Sequence, residues 1–466
     1  MSKETNGSTC RRRDLRRPLP PQLRLLPLLG ALAVACAGGT TPHATPEPLL
    51  ATPGQLEREA LALELLATPE VRGAIDRFEA SLRAHPVGRT PSGAASARRA
   101  AESMATAATY AVVNGDPGRP VVFWGANAPH VWHGLSMPRA GYGIENPDNV
   151  YRSLMVDGAS RYVIEGRFPP VGPTELHFTV MDSVPSESDE MPAEGAGFVA
   201  TLRSDALVVD DEGRFEVQID CDPPAGRPNA MQIPCTGRFP VYVRDLLGDW
   251  AREQPVRLEV RRVDGPPLDP APSRAALAAR VVEHLGRLGP FWVAYDDRYL
   301  YSRPANALVP PRRRPGGRGL STSGHFDLAE DEVLVLTLDA LGAGSLGVQL
   351  TDPWGVASEY VDRTGSLNAS QARPDADGRF TFVIAAEDPG VHNWLDPEGL
   401  SAGIIAVRWQ VLPPDADPDG ALGAVRVVKR SRLDEALPPG TVRVTPAERE
   451  AQRRARARSF AHRLGH

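Results

Sequence analysis

Strict alternation of apolar and polar residues is the feature that most limits what this chain can fold into. In the stretch TELHFTVMD, Leu176, Phe178 and Val180 alternate with polar residues, and VRLEVRR repeats the pattern around Leu258 and Val260. The polar members of the first stretch are Glu175, His177 and Thr179. A period of two places successive side chains on opposite faces of a strand. The pattern predicts antiparallel sheets with one face in a core and the other in water.

Two blocks of such strands predict two β domains behind a helical segment. Val71, Ile75, Phe78 and Leu82 recur at the spacing of one helix face, which predicts a helix ahead of the strands. The successive blocks are a helical cap (51–115), a first β-sandwich (120–265), a helix with a linker (266–319) and a second β domain (320–430). The predicted fold class is mainly β, with two antiparallel β-sandwich domains and an N-terminal helical cap.

The N-terminus has the layout of an export signal. A basic stretch, RRRDLRRPLPPQLR, precedes eleven apolar residues at 25–35, whereas a bilayer-spanning helix needs about 20. The residues before Cys36 resemble a bacterial lipobox, so we expect cleavage there, lipidation of Cys36 and attachment to a membrane. Cleavage near Ala35 or Ala37 with plain secretion is the alternative. Residues 1–36 are then the signal and 37–50 a tether, and the predicted location is the cell envelope, as an outer-membrane lipoprotein facing the periplasm or the cell surface.

The cysteine count agrees with an exported protein. Of the four cysteines, Cys10 lies in the predicted signal and Cys36 is the predicted anchor. Cys221 and Cys235 remain, separated by a loop rich in proline and glycine, and in an oxidising compartment such a pair predicts a disulfide. No histidine or further cysteine lies near the pair, so we expect no metal there.

Charge and motifs exclude several classes of function. The net charge of −6 is too small to indicate a nucleic-acid partner. The sequence contains no G-x-S-x-G elbow, phosphate-binding loop, dinucleotide fingerprint or H-E-x-x-H motif. We therefore expect no cofactor, and His130 and His133 have no carboxylate near them in sequence that would favour a metal site.

Two turn-rich segments supply the candidate ligand-binding residues. In DPGVHNWLDPEG (388–399), the Asp-Pro turns surround His392, Asn393, Trp394 and Asp396. Trp394 either fills the end of a sandwich or offers its face as a stacking platform, and His392 is either solvated or an acid or base.

The second segment, Asn-Pro-Asp-Asn, leads into a strand and contains Asn146, Asp148 and, just after it, Tyr151. The three side chains either hold a structural turn or contact a polar ligand.

These stretches together resemble a family. GIENPDNVYRSLMVDGASRYVIEGR (143–167), VYVRDLLGDWAREQPVRLEV (241–260) and DPGVHNWLDPEG are similar to bacterial proteins of the domain of unknown function 1214 family, often paired with domain of unknown function 1254. The resemblance implies two dissimilar β-sandwiches, the C-terminal one jelly-roll-like, and no agreed activity. Glu145 and Leu400 differ from the residues that are usual at these positions in the family. If these positions contact a ligand, the resemblance does not imply which ligand it is.

Three hypotheses of function follow. The first is non-catalytic binding of a small molecule or glycan at or between the β domains. The second is a hydrolase of glycans or esters that uses Asp148, His392 or Asp396 as acid or base, and the third is a structural or interaction protein. A basic helix predicted at 445–464 either stays solvated or docks on anionic lipid.

Overall fold

The computed structural model describes residues 49–187 and 197–465. The predicted signal, Cys36 and nearly all of the tether lie outside the described residues. None of the described helices is long and apolar enough to cross a bilayer.

Four helices form one layer of the molecule. They are α1 (Pro53–Leu66), α2 (Pro69–Ala84), α3 (Pro91–Val113) and α4 (Arg274–Asp296). The first three begin with Thr-Pro, and the threonine hydroxyl accepts a hydrogen bond from the backbone three residues on, as an N-cap does. Phe78 of α2 packs closely on Gly289 of α4, where a Cβ would lie 2.3 Å from the ring. The helix between the two β blocks therefore belongs to the same layer as the cap.

The first sandwich consists of a five-stranded and a four-stranded sheet. The five-stranded sheet contains β1 (Phe123–Ala126), β4 (Asn149–Asp157), β10 (Arg238–Leu246), β6 (Glu175–Met181) and β7 (Phe198–Arg203), in that spatial order. The four-stranded sheet contains β11 (Arg257–Asp264), β5 (Arg161–Arg167), β8 (Arg214–Asp220) and β9 (Ala230–Gln232). Leu154, Phe178 and Val217 are among the apolar residues buried between the two sheets. A separate hairpin pairs β2 (His130–Trp132) with β3 (Leu135–Met137).

The second sandwich has the same two-layer plan. One sheet contains β14 (Leu320–Asp327), β20 (Ala402–Gln410), β16 (Ser345–Thr351) and β17 (Ser366–Asn368), with β12 (Ala307–Leu308) and β13 (Arg312–Arg313) on the free edge of β14. The other contains β19 (Trp394–Leu395), β18 (Phe380–Ile384), β15 (Glu332–Leu338) and β21 (Leu422–Lys429). Phe382, Ile405 and Trp409 are buried in the core between them.

The predicted fold class is confirmed, since the structure is mainly β with a helical cap. Most strand pairs are antiparallel, but the short edge strands β9 and β19 pair in parallel with β8 and β18. The predicted disulfide is also present: Cys221 and Cys235, with Cα atoms 4.8 Å apart, close the loop that contains β9.

One prediction about the sheets is wrong. The polar residues of β6 were expected in water, yet Glu175, His177 and Thr179 are buried, as is the whole strand. The outer face of this central strand is covered, so its polar side chains face protein rather than solvent. On the edge strand β11, by contrast, Glu259 and Arg261 are exposed as the alternation predicts.

The C-terminal helix is packed on the body of the protein rather than solvated. After the short α5 (Leu433–Ala436), α6 (Pro446–Arg463) buries Arg449, Arg456 and Arg463. The residues lie seven positions apart, which brings them to one face of the helix. Arg456 and Arg463 stack on the ring of Trp250, at 4.5 and 4.3 Å from its centroid. The expectation of a solvated helix is wrong because aromatic rings and backbone carbonyls of the body bind these guanidinium groups. Docking of the helix on anionic lipid stays a prediction.

Candidate functional site

The DPGVHNWLDPEG loop forms a structural corner. Trp394 is only 7% exposed and its Nε1 donates to the carbonyl of Ala385 at 2.9 Å. Arg449 of α6 covers the ring at 5.1 Å. Asp396 is buried and accepts a hydrogen bond from Arg363 at 2.8 Å. The indole face is therefore covered and the carboxylate is paired.

The other two candidates of this loop also have local partners. Asn393 is buried and its amide bonds to the backbone of Arg373 and Thr381. His392 is half-buried, with Nε2 3.2 Å from the carbonyl of Gln371, and burial lowers its pKa. These contacts give the loop a structural role at the end of the second sandwich.

Asn146 and Asp148 connect the two sandwiches. Asn146 is buried and donates from Nδ2 to Oε1 of Gln410 in β20, at 2.9 Å. Asp148 accepts hydrogen bonds from Trp250 and from Asn368 of β17, each at 2.9 Å. Burial raises the pKa of Asp148. Both side chains thus use their hydrogen-bonding groups inside the protein.

Tyr151 is different, because it lines a cavity of about 400 Å³. Of the seven ligand-binding candidates, all within the described residues, it is the one that lines this cavity. The floor is the outer face of the five-stranded sheet, the roof is α3 and α4, and the third wall is the outer face of β14 and β20. Two of the buried polar residues of β6, Glu175 and His177, therefore face an internal space.

The α4 wall of the cavity is aromatic. It contains Phe291, Trp292 and Tyr295 of α4 and Tyr299 of the π-helical turn that follows it (Asp297–Tyr301), and successive ring centroids lie 4.7–5.2 Å apart. Tyr142, from the opposite loop, lies 5.9 Å from Trp292. Such a row of rings offers a large apolar contact surface with polar edges.

The loop that contributes Tyr142 is held in a strained conformation. Gly143 and Ile144 both have φ of 60°, a value that a β-branched residue such as isoleucine rarely adopts. A Cβ on Gly143 would lie 2.8 Å from the Trp292 ring, so glycine allows the loop to pack on the indole. The backbone N–H of Ile144 donates to the carbonyl of Gly355 at 2.9 Å, and the carbonyl of Ile144 accepts from the Arg408 guanidinium. These two hydrogen bonds maintain the conformation. Strain of this kind is common at functional sites.

Several polar atoms of the cavity lining have no hydrogen-bond partner in the described part of the chain. They are Nε2 of His177, Nε1 of Trp292, Oδ1 of Asn149 and Oε2 of Glu145. His177 is 2% exposed and Asn149 is 5% exposed. Buried polar groups are nearly always hydrogen-bonded, and each one that is not requires an explanation. A ligand in the cavity would satisfy them.

The charge inside the cavity is mainly positive. Burial raises the pKa of Glu145 to about 8 and, together with Arg244 and Arg203, lowers the pKa of His177 to about 3, so both are largely uncharged near neutral pH. Arg244 lines the cavity and lies over the ring of Tyr151, at 5.6 Å from its centroid. The lining therefore combines a cation, an aromatic wall and neutral polar groups.

The linker between the β blocks forms the solvent side of the cavity. Arg314 and Arg318 both belong to the lining, and Arg314 is exposed. Arg318 lies over Phe198 of β7 at 4.8 Å. This part of the lining therefore extends to the molecular surface at Arg314.

His130 and His133, the histidine pair that would be needed for a metal site, lie outside the cavity lining. His130 stacks between Trp124 and Trp132, at 4.9 and 4.8 Å, and its Nδ1 lies 2.9 Å from the carbonyl of Ala128. Within residues 49–187 and 197–465 there is no group of three or more metal-ligating side chains.

Sequence reasoning missed most of the cavity lining, although two signals were present. His177 and Arg244 are polar residues on the outward positions of central strands, where a polar side chain is also compatible with a covered face that lines a cavity. Phe291, Trp292, Tyr295 and Tyr299 recur at helical spacing within FWVAYDDRYLY, which indicates one aromatic helix face.

Comparison with solved structures finds the same fold in a bacterial protein. The chain is similar to an uncharacterized protein from Burkholderia cenocepacia, with a TM-score of 0.62, 22% identity and coverage of 79% of this chain and 99% of that one. A Vibrio parahaemolyticus protein matches with a TM-score of 0.38 and 12% identity, over 61% of this chain and 90% of that one. No protein family and no curated protein matches the chain. At this identity the likeness shows the fold alone, and membership of the domain 1214 family stays a prediction.

Proposed function

We propose that this protein binds a small organic molecule, without chemical turnover, in the cavity between its two sandwiches and its helical layer. The observation that carries this proposal is the set of polar atoms on His177, Trp292 and Asn149 that have no partner among the described residues, around a cavity with an aromatic wall. Such a mixture, mostly apolar with a few convergent polar groups, is typical of ligand pockets.

The size and access of the cavity support the same function. Its volume of about 400 Å³ falls within the range of about 300–1,000 Å³ that ligand sites occupy. The exposed Arg314 marks a route from solvent. The rival hypothesis of a hydrolase has less support, because Asp148 and Asp396 are held by partners within the protein and His392 bonds the backbone of Gln371.

The test is binding of phenylnaphthylamine, a neutral probe whose fluorescence rises in apolar surroundings. We expect saturable binding at about one probe per chain. Ser153→Trp, which places an indole in the cavity lining, is expected to weaken binding at least about 10-fold by filling the space. Thr201→Trp, on an exposed position of the same sheet and outside the lining, is the matched control. Equal binding by the two variants, or no saturable binding by the parent protein, would contradict the proposal.

We also propose that the protein is an exported lipoprotein anchored through Cys36, and that it is related to the domain 1214 family. The disulfide between Cys221 and Cys235 supports export, because such bonds persist in oxidising compartments. Cys36→Ser is expected to move the protein from the membrane to the soluble fraction after cell lysis. Continued membrane association of that variant would contradict the lipid anchor.

A further inference from the structure

We infer that the molecule bound in the cavity is an organic anion with a flat apolar body, and that Arg244 is the group that binds its charge. This inference rests on the proposed function, since it assigns a ligand class to the same cavity.

Arg244 is a cation without a counter-ion in the described part of the chain. Its Nη1 is buried and has no hydrogen-bond partner, and no carboxylate there lies within ion-pair distance of the guanidinium. Its guanidinium lies over the face of Tyr151, at 5.6 Å from the centroid. Arginine stays charged under all ordinary conditions and presents several donors in a planar fork. The Arg244 side chain as a whole is half-buried, but an enclosed donor such as this Nη1 is costly to leave without an acceptor. An anionic ligand would supply that acceptor.

The carboxyl groups that share the cavity do not serve as this partner. Glu175 is engaged by Arg203, with Oε1 and Nε 3.2 Å apart. Glu145 accepts a hydrogen bond from the backbone of Ala357, and burial raises its pKa to about 8. Four more arginines belong to the lining, namely Arg152, Arg314, Arg318 and Arg408. Arg152 is ion-paired with Asp245, and the lining as a whole is rich in positive charge.

The apolar body of the ligand is assigned to the aromatic wall. Trp292 and Tyr295 present their rings to the same cavity that Arg244 lines, and Trp292 Nε1 is an unused donor. A ligand with an acidic group at one end and a ring system at the other would contact both regions. Carboxylates and sulfonates both meet this description, because planar and tetrahedral oxyanions accept the same arginine donors.

The experiment compares two probes with one aromatic skeleton. Anilinonaphthalene sulfonate is the anion and phenylnaphthylamine is its neutral counterpart, and both report binding by fluorescence. We expect Arg244→Gln to weaken binding of the sulfonate at least about 10-fold, the loss typical of a charge-assisted hydrogen bond, and to change binding of the neutral probe less than about 2-fold. Arg244→Lys keeps the charge and is expected to retain part of the sulfonate affinity. Arg261→Gln makes the same charge change on the exposed face of β11 and is the control.

The outcomes separate this inference from the proposed function. Equal effects of Arg244→Gln on the two probes, or equal effects of Arg244→Gln and Arg261→Gln on the sulfonate, would overturn the anion assignment while leaving a ligand cavity in place. Failure of both probes to bind the parent protein would overturn the proposed function itself. Circular dichroism of each variant, matched to the parent, confirms that a change in binding does not reflect unfolding.

Discussion

At the scale of single residues, the partners that surround a buried polar group decide its role here. Asp148 and Asp396 are carboxylates in turn-rich segments, and both are held by donors within the protein. Glu145, three residues from Asp148, has one oxygen without a partner and lines the cavity. All three are buried carboxyl groups, so their hydrogen-bond partners make the difference.

Glu145 gives a pH-dependent stability that can be measured. Burial raises its pKa from 4.5 to about 8 in the folded protein, so the folded state binds the proton more tightly than the unfolded state. The protonated carboxyl stabilises the folded state fully at pH values below the pKa of the unfolded state. As the pH rises from that pKa to the pKa of the folded state, the free energy of unfolding falls by about 1.4 kcal/mol per pH unit. Glu145→Gln cannot ionise and is expected to remove this slope.

The measurement is the free energy of urea unfolding at about pH 5 and about pH 8 for the parent and the variant. Glu57→Gln, on an exposed position of α1, is the control that should keep the slope of the parent. If Glu145→Gln and the parent lose the same free energy between the two pH values, Glu145 does not titrate in this window.

At the scale of elements, α6 shows how a basic helix becomes part of a core. Arg449, Arg456 and Arg463 occur every seven residues, whereas Arg454 and Arg458 lie on the exposed side. The heptad spacing was visible in the sequence. Total charge alone, however, predicted a solvated or lipid-bound helix, because it does not distinguish one face from the other.

Arg456→Ala and Arg454→Ala form a matched pair on this helix. Arg456 donates to Tyr360, Ser366 and Gln371 and stacks on Trp250, so its removal leaves buried acceptors unsatisfied and a gap against the indole. We expect a loss of about 2–4 kcal/mol of unfolding free energy for Arg456→Ala. Arg454 is paired at the surface with Glu450, and we expect Arg454→Ala to lower the free energy of unfolding by less than about 0.5 kcal/mol. Equal losses in urea denaturation would show that the buried contacts of α6 do not stabilise the protein.

At the scale of the whole molecule, the sandwiches and the helical layer share their packing. Trp354 and Val356 of the second β block belong to the hydrophobic core of the helices. α6 contacts both sandwiches, through Trp250 on one side and Ser366 on the other. The cavity exists because these three parts meet.

We therefore expect residues 49–465 to unfold in one transition, although the strand pattern alone indicates two β domains. Far-ultraviolet circular dichroism and tryptophan fluorescence should give coincident urea curves, since loss of either sandwich exposes surface of the other. Two separated transitions would contradict this expectation.

The sequence by itself determined the local features of this protein. Alternation predicted the strands, Thr-Pro pairs mark the first three helix starts, and the spacing of Cys221 and Cys235 predicted their disulfide. These features depend on residues near one another in the chain, so a local pattern is enough to reveal them.

Only the tertiary structure decided which polar face is covered. The alternation of β6 distinguishes two faces but contains no information on what lies against the second one. His177, Arg244 and Trp292 come from separate segments, and they share a cavity only because α4 and the second sandwich pack over the first. Contacts between residues this far apart depend on how whole surfaces fit together, which no short stretch of sequence encodes.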